Sequence, residues 1–185
     1  MENNGRQDKL QQIIEVERQL GEIQDVDVLL ERILTETRKM VNADAGSIYV
    51  PEGNKLRIKY GQNDTHLREL APGVKLPYTY FSFPINKSSI CGYVAETLQP
   101  LNIADVYQIP EDKPYKFNKN TDLTTDYRTK SMYTIPLKMA SGALLGVLQI
   151  INAKDDNGNY IEFGEEAELL IGHFATSAVQ ALQHA

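Results

Sequence analysis

The residue types that usually carry out catalysis are scarce in this chain and poorly spaced for it. The sequence has one cysteine, Cys91, so no disulfide within the chain and no multi-thiolate metal site can form. The three histidines, His66, His173 and His184, lie far apart and share no metal-ligand spacing. No Ser-His-Asp or Cys-His arrangement and no glycine-rich phosphate loop is present. The sequence therefore predicts no catalytic site, no metal site and no cofactor.

A long polar segment carries a stronger chemical signal, because it is suited to covering a ligand. Residues 104–130 form an irregular stretch that includes four aspartates and three tyrosines. Such a stretch is too long for a passive connection, and loops of this kind usually cover a binding site. We therefore expect a small-molecule pocket beneath this segment.

Such a pocket needs a sheet to support it, and the centre of that sheet is predicted to be a β-hairpin from Ser131 to Asn152. Its second arm is apolar on both alternating faces, which predicts a central strand covered on both sides. One predicted face carries Leu145, Val147 and Ile151, and the other carries Leu144, Leu148 and Ile150. We expect Gly146 to let another element pack closely and Pro136 to mark an irregularity in the first arm.

The remaining elements follow from periodicity and capping residues. A second helix is predicted over residues 28–41, after two aspartates able to cap it, and a closing helix over 163–182. A further helix through residue 98 is predicted to begin at Ser88. The predicted strands outside the hairpin cover residues 45–50, 55–60, 80–84 and 101–103.

The first 24 residues carry a short coiled-coil pattern, formed by Ile13, Val16, Leu20 and Ile23. The pattern allows two interpretations, which are the seam of a parallel homodimer that includes the closing helix, or an amphipathic helix lying on its own domain. We assign residues 1–24 to a signalling and dimerisation helix and residues 25–185 to a sensor domain.

Five local strings, in this order, resemble those of the GAF domain, the small-molecule sensor module of phosphodiesterases, cyclases and bacterial signalling proteins. They are ICGYVAET at 90–97, LNIAD at 101–105, YRTKS at 127–131, IPL at 135–137 and GVLQIIN at 146–152. The domains of cyclic-nucleotide phosphodiesterases and adenylyl cyclases, and those preceding HD-type phosphohydrolase domains, are the most similar. The resemblance implies an α/β fold of the α+β type, in which helices pack on a central antiparallel sheet of about five or six strands and the terminal helices are adjacent.

The resemblance also implies which residues line the pocket. Carried over by position, the ligand-binding residues are Phe81, Ser89, Ile90, Cys91, Asp105, Phe117, Asn118, Asp122, Thr125 and Tyr133. Phe117 would stack on a planar base, and Asp122 or Asp105 would accept a hydrogen bond from its exocyclic amine. The structural alternatives stay open, namely that Asp105 only caps the loop and Phe117 only fills the core. We also expect Asp122→Ala to weaken binding while leaving the unliganded melting temperature nearly unchanged.

The chain departs from the resemblance in one motif. Cyclic-nucleotide-binding GAF domains are associated with an Asn-Lys pair at the end of the central strand, then a Phe and, after three residues, an Asp-Glu pair. Three positions stand in register, namely Asn152, Phe163 and Glu168. Ala153 and Ala167 replace the Lys and Asp that form a salt bridge there, and Lys154 would point to the opposite face of the strand. We therefore expect this domain to keep the fold without that salt bridge, here called the Lys–Asp clasp. Its loss argues against tight cyclic-nucleotide binding.

The composition limits the classes of binding partner that the chain could have. Nineteen Lys and Arg against 25 Asp and Glu give a net charge of −6, which argues against nucleic acid. The longest apolar run is far shorter than the roughly 18 residues of a membrane span, and the N-terminus has no signal-peptide core. We expect a cytoplasmic protein without a membrane partner.

Together these observations predict a regulatory domain of a bacterial-type signalling protein. It would bind a small molecule of unknown identity, with a nucleotide as a candidate, and pass a signal through its terminal helices to an output domain outside this chain. The alternative is a ligand-free dimerisation and linker module. Some GAF-like domains reduce methionine sulfoxide, but that reaction needs a resolving partner for its cysteine, and Cys91 has none here. We expect no enzymatic activity.

Overall fold

One antiparallel sheet runs through the computed structural model, which describes residues 2–71 and 81–184. Its strands are β1 (Ala43–Glu52), β2 (Lys55–Asn63), β3 (Ser82–Pro84), β4 (Leu101–Ile103), β5 (Met132–Lys138), β6 (Leu144–Lys154) and β7 (Tyr160–Ile161). Across the sheet the order is β3-β2-β1-β6-β5-β4, and β7 pairs with the end of β6. The predicted hairpin therefore supplies β5 and a central β6, and the sheet has seven strands where about five or six were expected.

Helices cover both faces of the sheet. They are α1 (Glu2–Gly21), α2 (Val26–Met40), α3 (Asp64–Glu69), α4 (Ile90–Thr97), α5 (Lys119–Thr125) and α6 (Glu165–Gln183). On one face, here called the helical face, Ile33 of α2 and Phe174 of α6 are buried against Ile150. On the other, here called the cavity face, Val94 of α4 is buried against Val147. The α/β fold of the α+β type with a central antiparallel sheet, expected from the resemblance, is confirmed.

The central strand β6 alternates between the two faces from Val147 to Ile151 and departs from this alternation near both ends, since Ala153 shares the core of the helical face with Ile150. Leu148 lies in the core of the helical face and Val147 in that of the cavity face, as predicted. Leu144 was predicted to share a face with Leu148 but packs on the cavity face instead. The reason is a bulge, because the pairing of β5 with β6 shifts between Leu137 and Lys138 and the extra residue reverses the alternation beyond it.

Close approach between strands explains the glycine in β6. A Cβ atom at Gly146 would lie 2.5 Å from the carbonyl oxygen of Tyr49 on β1, closer than real Cβ contacts. A larger residue would therefore push β1 away, in agreement with the expected role of Gly146. The irregularity expected at Pro136 lies one step further along, after Leu137.

Two predicted boundaries change. The turn between β1 and β2 has only two residues, because β1 extends to Glu52 where the predicted strand ended at residue 50. Gly53 in this turn adopts a φ of +63°, which suits a glycine. Helix α4 is capped by Ser89 rather than by Ser88, because the Ser89 hydroxyl accepts a hydrogen bond from the backbone N–H of Gly92 at 3.1 Å. Residue 80 of the predicted strand 80–84 lies outside the described residues.

Helix α1 lies on its own domain. Leu20 belongs to the core of the helical face, and Val16 and Ile23 pack against it. Glu17 accepts a hydrogen bond from Ser177 of α6 at 3.1 Å, which places α1 beside the closing helix. Most of the predicted seam therefore packs within the chain, as in the amphipathic-helix alternative. No helix in the described part of the chain has the length and apolarity needed to cross a membrane.

Candidate functional site

A cavity lies between the cavity face of the sheet and residues 104–130, here called the lid segment. The space between its walls, counted together with the part open to solvent, is about 700 Å³. Apolar and aromatic side chains dominate its lining, and they are Ala45, Tyr49, Ile58, Phe81, Phe83, Ile90, Cys91, Phe117, Met132, Tyr127 and Ile151. The predicted pocket beneath the segment is therefore present in the structure.

Eight of the ten residues carried over from the resemblance line this cavity. They are Phe81, Ser89, Ile90, Cys91, Phe117, Asn118, Asp122 and Thr125. The structure brings them together from the chain before β3, the start of α4 and the lid segment with α5. Phe117 also lies 5.3 Å from the Tyr107 ring, centroid to centroid, so it fills core and lines the cavity at once.

Asp105 and Tyr133 lie away from the cavity, which corrects their assignment to it. Asp105 caps a short 3₁₀-helix, where its carboxylate accepts a hydrogen bond from the N–H of Tyr107 at 2.9 Å. Tyr133 alternates in β5 with Met132 and therefore points to the helical face, where its ring lies 6.5 Å from that of Phe163. Burial raises the pKa of Tyr133.

Asp122 is built into the lid segment. It is 5% exposed, and its carboxylate accepts hydrogen bonds from the N–H and hydroxyl of Thr129 at 2.8 and 2.7 Å and from the Tyr107 hydroxyl at 3.0 Å. Three of the roughly four acceptor sites of the carboxylate are therefore occupied. The side chain fastens α5 to the chain that enters β5, so from the structure we expect its removal to lower stability, whereas from the sequence we expected stability to stay nearly unchanged.

Cys91 lines the cavity as a buried thiol. Burial raises its pKa to about 11, and its sulfur lies 3.5 Å from the Ser89 hydroxyl oxygen. Because the thiolate is the nucleophilic form, a thiol with this pKa is a poor nucleophile near neutral pH. Among the described residues, no group of three or more His, Cys, Asp and Glu could hold a metal ion.

Tyr127 joins the cavity wall to a buried carboxylate. Its hydroxyl donates to Asp44 at 2.9 Å and accepts from the Asn152 amide at 2.8 Å. Asp44 is 1% exposed and also accepts from the Thr65 hydroxyl at 2.7 Å and the Lys154 ammonium at 3.3 Å. Burial alone would raise the pKa of Asp44, but these donors outweigh it and the pKa lies below its usual value. Burial and the Asp44 charge raise the pKa of Tyr127.

The end of β6 contains the positions of the missing Lys–Asp clasp. Ala153 is buried in the core of the helical face, and Ala167 of α6 packs against the same core. Lys154 points to the other side of the strand and pairs with Asp44, as the period of two predicts. Asn152 adopts a φ of +58° and holds the base of the lid segment.

Thirteen further residues line the cavity that the sequence did not single out. They are Ala45, Ser47, Tyr49, Ile58, Gln62, Asn63, Phe83, Thr121, Tyr127, Thr129, Met132, Gln149 and Ile151. Gln149 could have been identified from the sequence as a candidate lining residue, since it is a polar residue inside the apolar run of the central strand. Thr121, Tyr127 and Thr129 belong to the lid segment, whereas the others lie on strands and reach the cavity through pairing between distant parts of the chain, which no local pattern reveals.

Comparison with known sequences gives the family. The family model described as "GAF domain" matches residues 25–182. A cGMP-specific 3',5'-cyclic phosphodiesterase of Drosophila ananassae is 30% identical over 175 residues, which cover 93% of this chain and 14% of the relative. The corresponding enzyme of Drosophila erecta is 28% identical over 186 residues, covering 93% of this chain and 15% of the relative. The chain thus spans only a small part of these relatives.

Solved structures share the fold. The GAF domain of a phosphoenolpyruvate-protein phosphotransferase from Coxiella burnetii has a TM-score of 0.74 at 18% identity, covering 96% of this chain and 94% of that chain. A free methionine-R-sulfoxide reductase from Neisseria meningitidis has a TM-score of 0.66 at 15% identity, covering 91% and 84%. At these identities the likeness concerns the fold alone. The family match extends over most of the sequence and agrees with the sheet, the helices and the cavity, and the chain belongs to the GAF domain family.

Proposed function

We propose that this chain is the sensor domain of a bacterial-type cytoplasmic signalling protein and binds a small molecule beneath the lid segment. The observation that supports this most is the cavity, which gathers eight positions carried over from the family. GAF domains are small-molecule-binding regulatory domains, and the phosphodiesterases named above make nucleotides the first candidates. The buried thiol of Cys91 supports a regulatory role over a catalytic one.

The signal would leave through α1, α2 and α6 towards an output domain outside this chain. Arg38 of α2 supports this route, because its guanidinium donates to the backbone carbonyl of Asp44 at 2.9 Å and to the Gln62 side chain at 2.8 Å. The carboxylate of the same Asp44 accepts from Tyr127 of the lid segment. One residue of β1 therefore contacts both the cavity wall and a helix on the opposite face.

The test is a melting-temperature screen with a nucleotide and metabolite library, together with mass spectrometry of co-purifying compounds. A ligand present at a hundred times its dissociation constant adds about 2.7 kcal/mol to the free energy of unfolding and so raises the melting temperature. Thr121→Phe should fill the cavity and abolish the shift, whereas Thr124→Phe, on the exposed side of α5, should retain it. The absence of any shift or co-purifying compound would favour the alternative of a ligand-free linker module.

The parallel homodimer also belongs to this proposal. Leu10 and Ile14 of α1 are 57% and 61% exposed, and Leu169 of α6 is 76% exposed. The two helices are adjacent, since Lys9 and Glu166 pair at 2.9 Å. A second copy of the chain would bury these side chains, which face away from the core.

Light scattering tests this dimer. We expect Leu10→Glu combined with Ile14→Glu to halve the mass at tens of micromolar, whereas Leu67→Glu, a control at an equally exposed leucine of α3, should leave it unchanged. A wild-type chain that is already monomeric at this concentration would refute the proposal.

A further inference from the structure

A second recess, here called the polar groove, lies outside the cavity, between α3 and the turn that joins β6 to β7. Asp44 of β1 lies in it, Arg68 belongs to its α3 wall, and Lys154 and Asp156 come from the end of β6 and the turn. Apart from one glycine, every described residue that lines the groove has a polar or charged side chain, and none of them lines the cavity. The groove therefore suits a charged ligand that differs from the occupant of the cavity.

Two cations in the groove have hydrogen-bond donors left over. The Lys154 ammonium contacts Asp44 at 3.3 Å, longer than the usual charge-assisted distance of about 2.7–2.9 Å. Among the described residues it has no second acceptor, although an ammonium carries three donors. The Arg68 guanidinium lies 3.8 Å from the same carboxylate oxygen, too far for a hydrogen bond.

Asp44 cannot satisfy both cations, because its other oxygen already accepts from the hydroxyls of Thr65 and Tyr127. The side chain of Lys154 is only 19% exposed, so its unused donors have limited access to water. Leaving such donors unmet costs free energy. An anionic group of a ligand, placed between Lys154 and Arg68, would accept from both.

The groove also has acceptors that the protein leaves open. The Asp156 carboxylate is exposed and receives no hydrogen bond from the described residues. The Asn42 amide donates to the backbone carbonyl of Lys154 at 2.8 Å, which leaves its side-chain oxygen open. Asp155 differs, since its carboxylate accepts from the backbone N–H and the side-chain amide of Asn159 at 2.8 and 3.0 Å. Open acceptors therefore accompany open donors, and a ligand that fits both carries a positive and a negative group.

We propose that the polar groove is a second binding site and that its ligand is a free α-amino acid, which carries both charges on one carbon. The carboxylate of the amino acid accepts from Arg68 and Lys154, and its ammonium donates to Asp156. The planar fork of an arginine matches a carboxylate through two parallel hydrogen bonds. A plain anion such as phosphate would meet the charge of Asp156, and a polyamine would meet those of Arg68 and Lys154. The proposal does not depend on what the cavity binds.

Calorimetry of the wild-type protein with each standard L-amino acid tests the ligand. At least one should bind, and its N-acetyl derivative and its carboxamide should each bind at least about 10-fold more weakly, because each loses one charged contact. Inorganic phosphate and spermidine, which carry charges of one sign, should also bind at least about 10-fold more weakly. The proposal fails if no amino acid binds, or if any of these four probes binds as tightly as the amino acid.

Variants test the position of the site. Arg68→Gln and Asp156→Asn change exposed side chains and should each weaken amino-acid binding about 10-fold. Arg57→Gln, a control at a similarly exposed arginine of β2, should bind as the wild type does. Thr121→Phe, which fills the cavity, should also leave the binding unchanged. Binding that survives intact in Arg68→Gln, or is lost in Thr121→Phe, would overturn the assignment to the groove.

Discussion

At the scale of single residues, the Asp122 carboxylate holds the lid segment together. Asp122→Ala would leave the Thr129 N–H and the Tyr107 hydroxyl without their buried acceptor. We expect the free energy of unfolding, measured with urea in the absence of ligand, to fall by about 2–4 kcal/mol. Asp112→Ala, which changes an exposed aspartate of the same segment, is the control and should stay within about 0.5 kcal/mol. A loss for Asp122→Ala as small as that of the control would show that the network contributes little.

Asp44 gives a prediction about pH. Its pKa in the folded state is depressed, so its ionised form stabilises the fold above the unfolded-state pKa of about 3.9, and this contribution is lost as the pH falls through the folded-state value. We expect the difference in unfolding free energy between wild type and Asp44→Asn to be largest near pH 7 and to shrink below about pH 4. Urea titrations at pH 7, 5 and 3 measure this difference. A difference independent of pH would mean that the charge of Asp44 does not contribute.

The residue assignments show how far family position predicts a site. Positions on contiguous motifs, such as Ser89 to Cys91 at the start of α4, reach the cavity because a helix terminus fixes their direction. Tyr133 does not, because a strand turns successive side chains to opposite faces and residue type alone does not decide between neighbours. Asp105 follows the alternative in which it caps the loop. An aspartate that precedes a turn is as suited to capping as to binding, so the sequence did not decide between the two roles.

At the scale of elements, periodicity and capping residues predicted the helices α1, α2, α4 and α6 and the central strand. The short helices α3 and α5 and the strand β7 were not predicted, and local geometry was harder to predict. The apolar run of β6 indicates a central strand because only a strand covered on both faces is apolar throughout. The bulge after Leu137 depends on pairing between β5 and β6, so it reversed the predicted face of Leu144. The choice between Ser88 and Ser89 as a cap depends on backbone angles, which the residue type does not fix.

The junction of β6 and α6 supplies the prediction at this scale. Ala153 and Ala167 pack in one apolar core, at the two positions where the resemblance to cyclic-nucleotide-binding GAF domains implies a Lys–Asp salt bridge. Either Ala153→Lys or Ala167→Asp alone should destabilise the fold, because each buries an unpaired charge. The double variant should recover part of that loss as a favourable coupling in a double-mutant cycle. Purely additive effects would mean that the two positions do not face each other.

At the scale of the whole molecule, the cavity and the helical face are connected through Asp44. Tyr127 of the lid segment contacts its carboxylate on one side, and Arg38 of α2 contacts its backbone carbonyl on the other. A ligand that moves the lid segment would therefore change the surroundings of Asp44. Tyr127→Phe, which removes one hydroxyl and keeps the ring, breaks this connection together with the hydrogen bond from Asn152.

The single cysteine reports whether that connection holds the cavity closed. Cys91 lines the cavity and is buried, so a thiol reagent reaches it only when the cavity opens. Loss of a hydrogen bond worth about 1 kcal/mol should raise the labelling rate of Tyr127→Phe roughly 5-fold under native conditions. Tyr160→Phe is the control, because its hydroxyl makes only a long contact of 3.4 Å with the same carboxylate and lies on β7, and it should label at nearly the wild-type rate.

Urea titration of both variants separates opening of the cavity from global unfolding. Because local opening costs less than unfolding, the labelling rate of Tyr127→Phe should rise by more than its loss of global stability explains. Equal labelling of the two variants, or a rate that follows global stability alone, would mean that Tyr127 does not control access. In that case the hydrogen bonds of Asn152 to the backbone of Arg128 and Lys130 would suffice to keep the lid segment in place.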